Sequence, residues 1–569
     1  MAAKSPAKPK EGRQGQSLRQ YTVCGKGVND WPETFQNEAK MVNSTPNFLH
    51  PLSYSAMEQH NVEVCEIAAR IRQFHQRKQP FRIFHGSTNS TRHRDIRNSI
   101  TIDTSKLCNV LSVDTATKTA LVEPNVPMDS LIAATLKHGL IPPVVMEFPG
   151  ITTGGGYAGT SGESSSFRYG FFDRTINSVE IVLADGEVVI ASEDENADLF
   201  RGAAGALGTL GITTLIELRL IDARRYVNVT YHPVYSTAEA VQVAKELTTG
   251  HGYDYVDGIM FSKNEGVILA GQLSNGFPPG ARGVRFSQPL HPWYYLHVRF
   301  KLRKINKRVS HRPYVEFMPL TDYLFRYDRG GFWVGHSAFQ YFRFPFNHFT
   351  RWFLDDFMHT RMLYRALHAS RQSVSYVVQD LALPCDTAAE FMDYTDEKFG
   401  IYPLWLCPLK QDTLPTFHPH SREAEEDRKT SKLMLNIGVW GWGPEDPDAF
   451  IAANRDLEHK LRELGGMKWF YSQAYYTKDE FWQIYDREWY EGLRKKYHAD
   501  YLPDVWQKIR VDVEKERYEL RTNWKVKLLR IWPFAGLWGI WKAIRSGDWR
   551  IPRRLKFEYG TELWRKKVQ

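Results

Sequence analysis

Cysteine is scarce in this chain of 569 residues. The five present (Cys24, Cys65, Cys108, Cys385 and Cys407) show neither CxxC nor zinc-type spacing. That argues against a disulfide framework or a structural metal and fits a reducing compartment. The first residues, MAAKSPAKPKEGRQGQ, lack the apolar core of a secretion signal and are polar, basic and proline-containing; they read as disordered and carry no recognisable address. Acidic residues are scarce at the other end. Residues 521–569 hold thirteen Lys/Arg against three acids, a net +10 in a chain whose total is +9. The body of the protein is therefore almost neutral, and the high isoelectric point is no argument for nucleic acid, for which no module is recognisable. No nucleic-acid partner and no metal are expected.

What is present is ordinary for a globular protein, with 42% hydrophobic and 24% charged residues, in a chain long enough for two or three cores. FRIFHGS (81–87) reads as a strand entering a polar loop, and NVLSVDTATKTALVEPNV (109–126) as two strands around a turn. PMDSLIAATLKHGL reads as a helix between Pro127 and Gly139, and SVEIVLADGEVVIAS as a hairpin about Asp185-Gly186. Residues 196–221 then read as a helix, a glycine-rich loop and a long strand. Beyond Asp222 a β-α-β-β order occurs twice, from YVNVTYHPV to GVILAGQL and from SYVVQDLAL to LMLNIGVWG, which predicts one α+β domain split into half-repeats. Between the halves, at about 285–370, lies an aromatic and basic insertion, read either as an irregular helical cap with a solvated basic face or as a ligand- or membrane-facing element.

TTGGGYAGTSGESSS (152–166) is made almost wholly of Gly, Ala, Ser and Thr. Gly154, Gly156 and Gly159 satisfy G-x-G-x-x-G, but no apolar strand precedes them and no amphipathic helix follows, so a Rossmann fingerprint is a poor reading. A flexible linker is equally poor inside a β-rich domain. The remaining reading is a loop lying against a flat or phosphorylated ligand, with small side chains permitting approach and unpaired N–H groups donating to it. HGSTNST (85–91) and GALGTLGIT (205–213) are companions to it within one domain of ordinary size.

The order of these three loops resembles the vanillyl-alcohol oxidase (PCMH-type) FAD-binding domain. More closely, TTGGGYAGTSGESSSFRYG, VLADGEVV, GTLGI, VVQDLALP, YPLWLCP and DEFWQIYD are similar, in the same order, to the Δ24-sterol reductase (Diminuto/Seladin) family over roughly Gln59 to Arg510. The resemblance implies an α+β fold: a two-subdomain FAD-binding domain over 45–222 and an α+β substrate (cap) domain with a split repeat over 223–510, returning to the flavin. These are flanked by a disordered lead-in at 1–44 and a basic aromatic tail at 511–569. It places the flavin on Thr152, Thr153, Gly154, Gly155, Gly156, Gly159, Thr160, Ser161, Gly162, Glu163, Ser164 and Ser165. The pyrophosphate and adenine side falls on Gly86, Ser87, Thr88, Asn89, Ser90, Gly208, Thr209, Gly211 and Ile212. Covalent relatives carry a histidine within the first loop, whereas His85 stands one residue before Gly86, where it reads as a packed side chain. The FAD is expected to be non-covalent.

The family further implies NADPH as hydride donor, the C24=C25 side-chain bond of a sterol as acceptor, and a membrane, the endoplasmic reticulum, as the setting. Animal members begin with a hydrophobic segment that this sequence does not show. Contact with an anionic membrane surface, peripheral and from the cytoplasmic side, is expected instead from the tail. Its apolar run Ile531–Trp541 covers eleven residues, short of the ~20 needed to span, but its Trp, Phe and Leu interleaved with Lys and Arg suit an interface. Packing on the protein itself is the alternative. Because an isolated alkene is unpolarised, an acid must accompany hydride delivery; Tyr471 and Tyr475 are the candidates, with Asp380 and Glu163 behind them. Double-bond isomerisation, an oxidase of a small alcohol or sugar lactone, and a non-catalytic membrane-associated flavoprotein remain as alternatives.

Overall fold

Ser55 caps helix α1 (Ala56–Gln76). Its hydroxyl accepts from the Glu58 N–H at 3.3 Å while the Glu58 carboxylate accepts from the Ser55 N–H at 2.6 Å. The computed structural model describes residues 55–86, 100–250, 252–276, 283–307, 314–372, 375–412, 414–420, 433–524 and 531–554. The 1–44 lead-in, the first-loop residues Ser87, Thr88, Asn89 and Ser90, and the last fifteen positions of the tail lie outside the described residues.

Val64, Ile67, Ala68 and Ile71 line one face of α1 at helical spacing and enter the first core. Strands β1 (Arg82–Phe84) and β2 (Thr101–Asp103) pair in parallel. β3 (Val110–Asp114) and β4 (Thr119–Val122) lead through α2 (Met128–Leu136), β5 (Leu140–Ile141) and α3 (Thr153–Ala158) to β6 (Ile176–Leu183), β7 (Val188–Ser192) and β8 (Gly211–Arg219). These form a five-stranded antiparallel sheet in the order β3-β4-β8-β6-β7, and β9 (Ile221–Asp222) returns to pair with β5. The hairpin about Asp185-Gly186 is present, with Gly186 at φ 88°.

His60 of α1 is buried between two carboxylates, with Nδ1 2.8 Å from Glu123 and Nε2 3.2 Å from Glu180. Burial opposes its charge, but the two glutamates outweigh burial and hold its pKa up to about 9, against 6.5 for a free histidine. A folded pKa above the unfolded one stabilises fully below pH 6.5, and the gain is lost as pH rises through 9; its full size is roughly 3 kcal/mol. The denaturation midpoint of the protein should therefore fall between pH 6.5 and 9.5 more steeply than that of His60→Gln. Parallel declines would exclude His60 as the source.

The second sheet shows the expected duplication. β10 (Tyr226–Val234), α4 (Thr237–Thr248), β11 (Tyr255–Ser262) and β12 (Glu265–Ser274) form one half. An insertion follows with α5 (Tyr294–Ile305), β13 (Tyr314–Pro319), α6 (Val334–Tyr341), α7 (His348–Phe353) and α8 (Thr360–Ser370). β14 (Tyr376–Pro384), α9 (Cys385–Phe399), β15 (Leu404–Lys410) and β16 (Leu433–Trp442) form the other half, followed by α10 (Pro447–Glu463) and β17 (Met467–Lys468). The eight strands run antiparallel in the order β13-β10-β12-β11-β15-β16-β14-β17, so the halves meet where β11 pairs with β15.

One face of this sheet packs on α4, α9 and α10 through Val377, Leu381, Leu406 and Ile437. Alternate residues, Tyr376, Val378, Trp405 and Trp440, turn to the other face, toward Phe171 and Ile132 of the first unit. That parity also carries Asp380 and Asn436 to the second face. The insertion differs from an irregular helical cap: β13 adds an edge strand against β10, and Trp293, Tyr294, Tyr327 and Phe339 are buried. Residues 478–509, read with the substrate domain, bury Phe481, Tyr490, Leu493 and Val505 in the core of the first unit.

Candidate active site and flavin cradle

The stretch that reads as a loop is, in its first half, the short helix α3. Thr152 caps it, its hydroxyl accepting from the Gly155 N–H at 3.1 Å. Three consecutive glycines are poor helix formers, and packing explains two of them. A Cβ on Gly154 would lie 2.6 Å from Pro124, and one on Gly156 would lie 2.4 Å from the end of Met146. Gly155 is exposed, and a Cβ there would meet Thr152 Oγ1 at 3.1 Å and Ile151 at 3.8 Å. The expectation of unpaired N–H donors here is corrected. Thr153 and Gly154 donate to Val126 and Pro124, and Gly155 and Gly156 donate to Thr152, because the cap and the neighbouring 124–126 backbone take them up. This part of the cradle acts through shape.

Gly155 faces a cavity of about 1950 Å³, well above the roughly 300–1,000 Å³ of an ordinary small-molecule site. It can take a dinucleotide and a second ligand together. Thr152, Gly154, Gly159, Ser161, Gly162 and Glu163 continue its wall, and Gly208, Gly211 and Ile212 line it farther along. His85, expected as a packed side chain, lines it too and is half-buried, while its neighbour Gly86 turns the chain at φ 74°. Lys508, whose ammonium donates to the Leu207 carbonyl beside Gly208, and Arg510 also line the cavity and bring the positive charge that a pyrophosphate requires. Neither was singled out in the sequence.

The remaining predicted contacts lie behind the wall. Thr153 donates to the Val126 carbonyl, Gly156 is packed on Met146 and Phe172, and Ser165 donates to the Pro143 carbonyl. Ser164 donates to Glu147, and Thr209 donates to Ala206 while accepting from the Tyr490 hydroxyl. Thr160, at φ 50°, presents its carbonyl to the Trp469 indole N–H at 2.9 Å, which ties the return segment to the cradle.

The same cavity is lined by Trp405, Trp440, Trp469 and Tyr471, with Asp380 and Asn436 among them. The Tyr471 hydroxyl donates to Asp380 Oδ2, and Asn436 Nδ2 donates to Oδ1 at 2.8 Å. Gly438 lies opposite Asp380 in the ladder, and a Cβ there would press to 3.0 Å from Oδ1. Burial raises the Asp380 pKa to about 7 despite the Asn436 hydrogen bond. Tyr475 also lines the cavity, but its hydroxyl donates to Gln473 at 3.1 Å and its ring belongs to the core on the helical side of the sheet. The structure thus brings one of the two tyrosines onto the acid expected behind it.

Beside Asp380 lies a buried group that the sequence did not reveal. Arg326 donates to Glu147 at 2.6 Å and to Asp257 at 2.9 Å, with its guanidinium 4.1 Å from the Tyr323 ring centroid. Burial pushes Glu147 up to about 8 against the pull of Arg326, and burial followed by the Glu147 charge pushes Glu163 well above the carboxylate range. Both glutamates line the cavity, so it holds carboxyls of raised pKa among aromatics. Among the described residues, Asp173, Asp412 and His418 have metal-ligand chemistry. Both ring nitrogens of His418 already face these carboxylates, at 2.8 and 3.2 Å, and Arg174 pairs with both acids. The set is a hydrogen-bonded cluster built around the Arg174 ion pairs.

Glycine approach at Gly155, the lysine and arginine farther along and the cavity's size all fit FAD. A family profile described as an FAD binding domain matches residues 62–192. The Delta(24)-sterol reductase of Homo sapiens is 29% identical over 407 residues, covering 71% of this chain and 76% of that protein. The Delta(24)-sterol reductase of Arabidopsis thaliana is 28% identical over 432 residues, covering 70% and 74%. A shorter similarity, 32% over 144 residues, covers 24% of this chain and 26% of cytokinin dehydrogenase 4 of Oryza sativa subsp. japonica. The cradle and these relatives agree: the chain is an FAD-dependent oxidoreductase, similar over about seven-tenths of its length to Delta(24)-sterol reductases.

Proposed function

We propose that this protein reduces the C24=C25 side-chain double bond of a sterol, with NADPH as the source of hydride. The observation that carries the reading is the Tyr471–Asp380 pair, an acid set among aromatics in the same cavity that the glycine cradle lines. Gly154, Gly155, Gly159 and Gly162 would hold the flavin on one wall, with Lys508 and Arg510 toward its phosphates. When bound, FAD supplies hydride chemistry that no side chain has. Trp405, Trp440 and Trp469 offer an apolar side chain its contacts and exclude water from the reacting carbons. Tyr471 then gives its proton to C24, because protonation there leaves the tertiary, more stable cation at C25 to accept hydride. For this the phenol hydrogen turns from Asp380 to C24 while protonated Asp380, with a pKa near 7, donates to the Tyr471 oxygen and replaces the proton that is lost. We also propose a peripheral location on the cytoplasmic face of the endoplasmic reticulum, supported by the basic tail.

The test is incubation of the purified holoprotein with a Δ24-sterol, with and without NADPH, followed by mass spectrometry. A product two mass units heavier, formed only with NADPH, is expected. With NADPH deuterated at its transferred hydrogen, the label should appear at C25, and solvent deuterium at C24. A shifted alkene formed without NADPH would replace reduction by isomerisation.

A further inference from the structure

Helix α11 (Phe534–Ser546), in the tail, packs with its polarity inverted. Its inward face is made of small residues: Ala535, Gly536, Gly539 and Ala543 are buried. A Cβ on Gly536 would lie 2.4 Å from Tyr341, and one on Gly539 would lie 2.5 Å from the Ala366 carbonyl of α8. The large apolar residues point outward, with Trp538 41% and Trp541 43% exposed, together with Phe534, Leu537 and Ile544. A helix serving only the core would do the reverse. Arg365 and Asp548 fasten the helix to α8.

The insertion extends this face. Arg343 stacks 5.0 Å from the Trp532 ring, and exposed Phe344 follows it. On α7, Phe349, Trp352 and Phe353 are exposed, and Asp356 just beyond them pairs with Arg553 of the tail. Cations interleave with the rings: Lys542 lies 5.0 Å from Trp538 and 5.2 Å from Trp541, and Arg545 lies 5.1 Å from Trp541. A second copy would set Arg343, Lys542 and Arg545 against their own like charges across such a face, whereas anionic headgroups over acyl chains complement both its charge and its rings. No helix among the described residues is long and apolar enough to cross a membrane. Finally, Tyr341, Arg343, Trp532 and Lys542 line the main cavity, and the last three are exposed, so the cavity reaches the surface here.

We infer that α11 and α7 together form a bilayer-docking face and that the cavity opens into it, so that an apolar substrate passes from lipid to the active site without crossing water. The inference rests on the proposed function only for the nature of that substrate; its test uses none. Full-length holoprotein should sediment with vesicles of phosphatidylcholine and phosphatidylserine. Trp538→Ser with Trp541→Ser, and separately Phe349→Ser with Phe353→Ser, should weaken this at least roughly tenfold at unchanged FAD content. A nitroxide on Lys542→Cys, in a chain whose Cys24 and Cys108 are replaced by serine, should become shielded from a water-soluble relaxation agent and open to oxygen when vesicles are added. Unweakened binding by both double variants would overturn the docking face. A bound protein whose Lys542→Cys label stays open to the aqueous agent would overturn the opening into lipid. Neither outcome depends on whether the sterol is reduced.

Discussion

Tyr471→Phe should lower turnover of a Δ24-sterol by roughly 10² or more, the scale of a lost general acid, while FAD content and reduction by NADPH are retained. The phenol hydrogen is the group removed; the ring stays, and with it the contact with the wall. In the proposed reaction, hydride entering the site from NADPH needs no proton from this residue, so the two half-reactions should separate cleanly in stopped-flow absorbance. Asp380 gives the same prediction a pH signature. Its carboxyl is held protonated up to about pH 7 by burial, and above that value it can no longer return a proton to Tyr471. Wild-type turnover should therefore fall as pH rises through 7, and Asp380→Asn should be slow without that limb. Tyr475→Phe serves as the control, since the Tyr475 hydroxyl is bonded to Gln473. Full activity in Tyr471→Phe would remove this tyrosine from the mechanism.

Much of this arrangement was legible in the sequence because strands alternate. The twofold β-α-β-β order and the hairpin about Asp185-Gly186 follow from local pattern, and both occur. Asp380 was named only as standing behind the tyrosines. Its place is set by the parity of β14, shared with Tyr376 and Val378, whose neighbours Val377 and Leu381 face the helices. The buried Arg326 group was not legible. Glu147 and Asp257 lie 179 and 69 residues from it in the chain, and no local spacing brings them together. Edge strand β13 was hidden for a similar reason, since it pairs with β10 across the half-repeat. The tail shows a different limit. Its tryptophans were read as apolar surface seeking either lipid or protein, but the small residues that dock the helix, Gly536 and Gly539, carry no hydrophobic signal. For that reason, deleting the tail is a poor test of membrane contact: it would uncover Tyr341, Phe342 and α8.

Gly155→Glu should abolish FAD binding and with it all turnover. The two neighbouring glycines are filled by their own protein, Gly154 by Pro124 and Gly156 by Met146 and Phe172, so substitutions there would disturb α3 itself. Gly155 is exposed to the cavity, and its own Cβ would meet the Thr152 hydroxyl at 3.1 Å, a contact that a small shift relieves. A glutamate there places a charged side chain against the wall where the flat ligand must lie, while the pairing of Gly155 N–H with Thr152 is kept. Gly155→Ala separates the two effects. It adds only the methyl, so it should fold with the same thermal midpoint as the apoprotein and bind FAD more weakly, whereas Gly155→Glu should fold equally well and bind none. Acid precipitation of the wild-type protein should release yellow FAD into the supernatant. Flavin remaining in the pellet would point to a covalent bond, and His85, which lines the same cavity, would then be the residue to replace. Normal flavin content in a folded Gly155→Glu protein would move the isoalloxazine ring away from α3 and remove the cradle from the site.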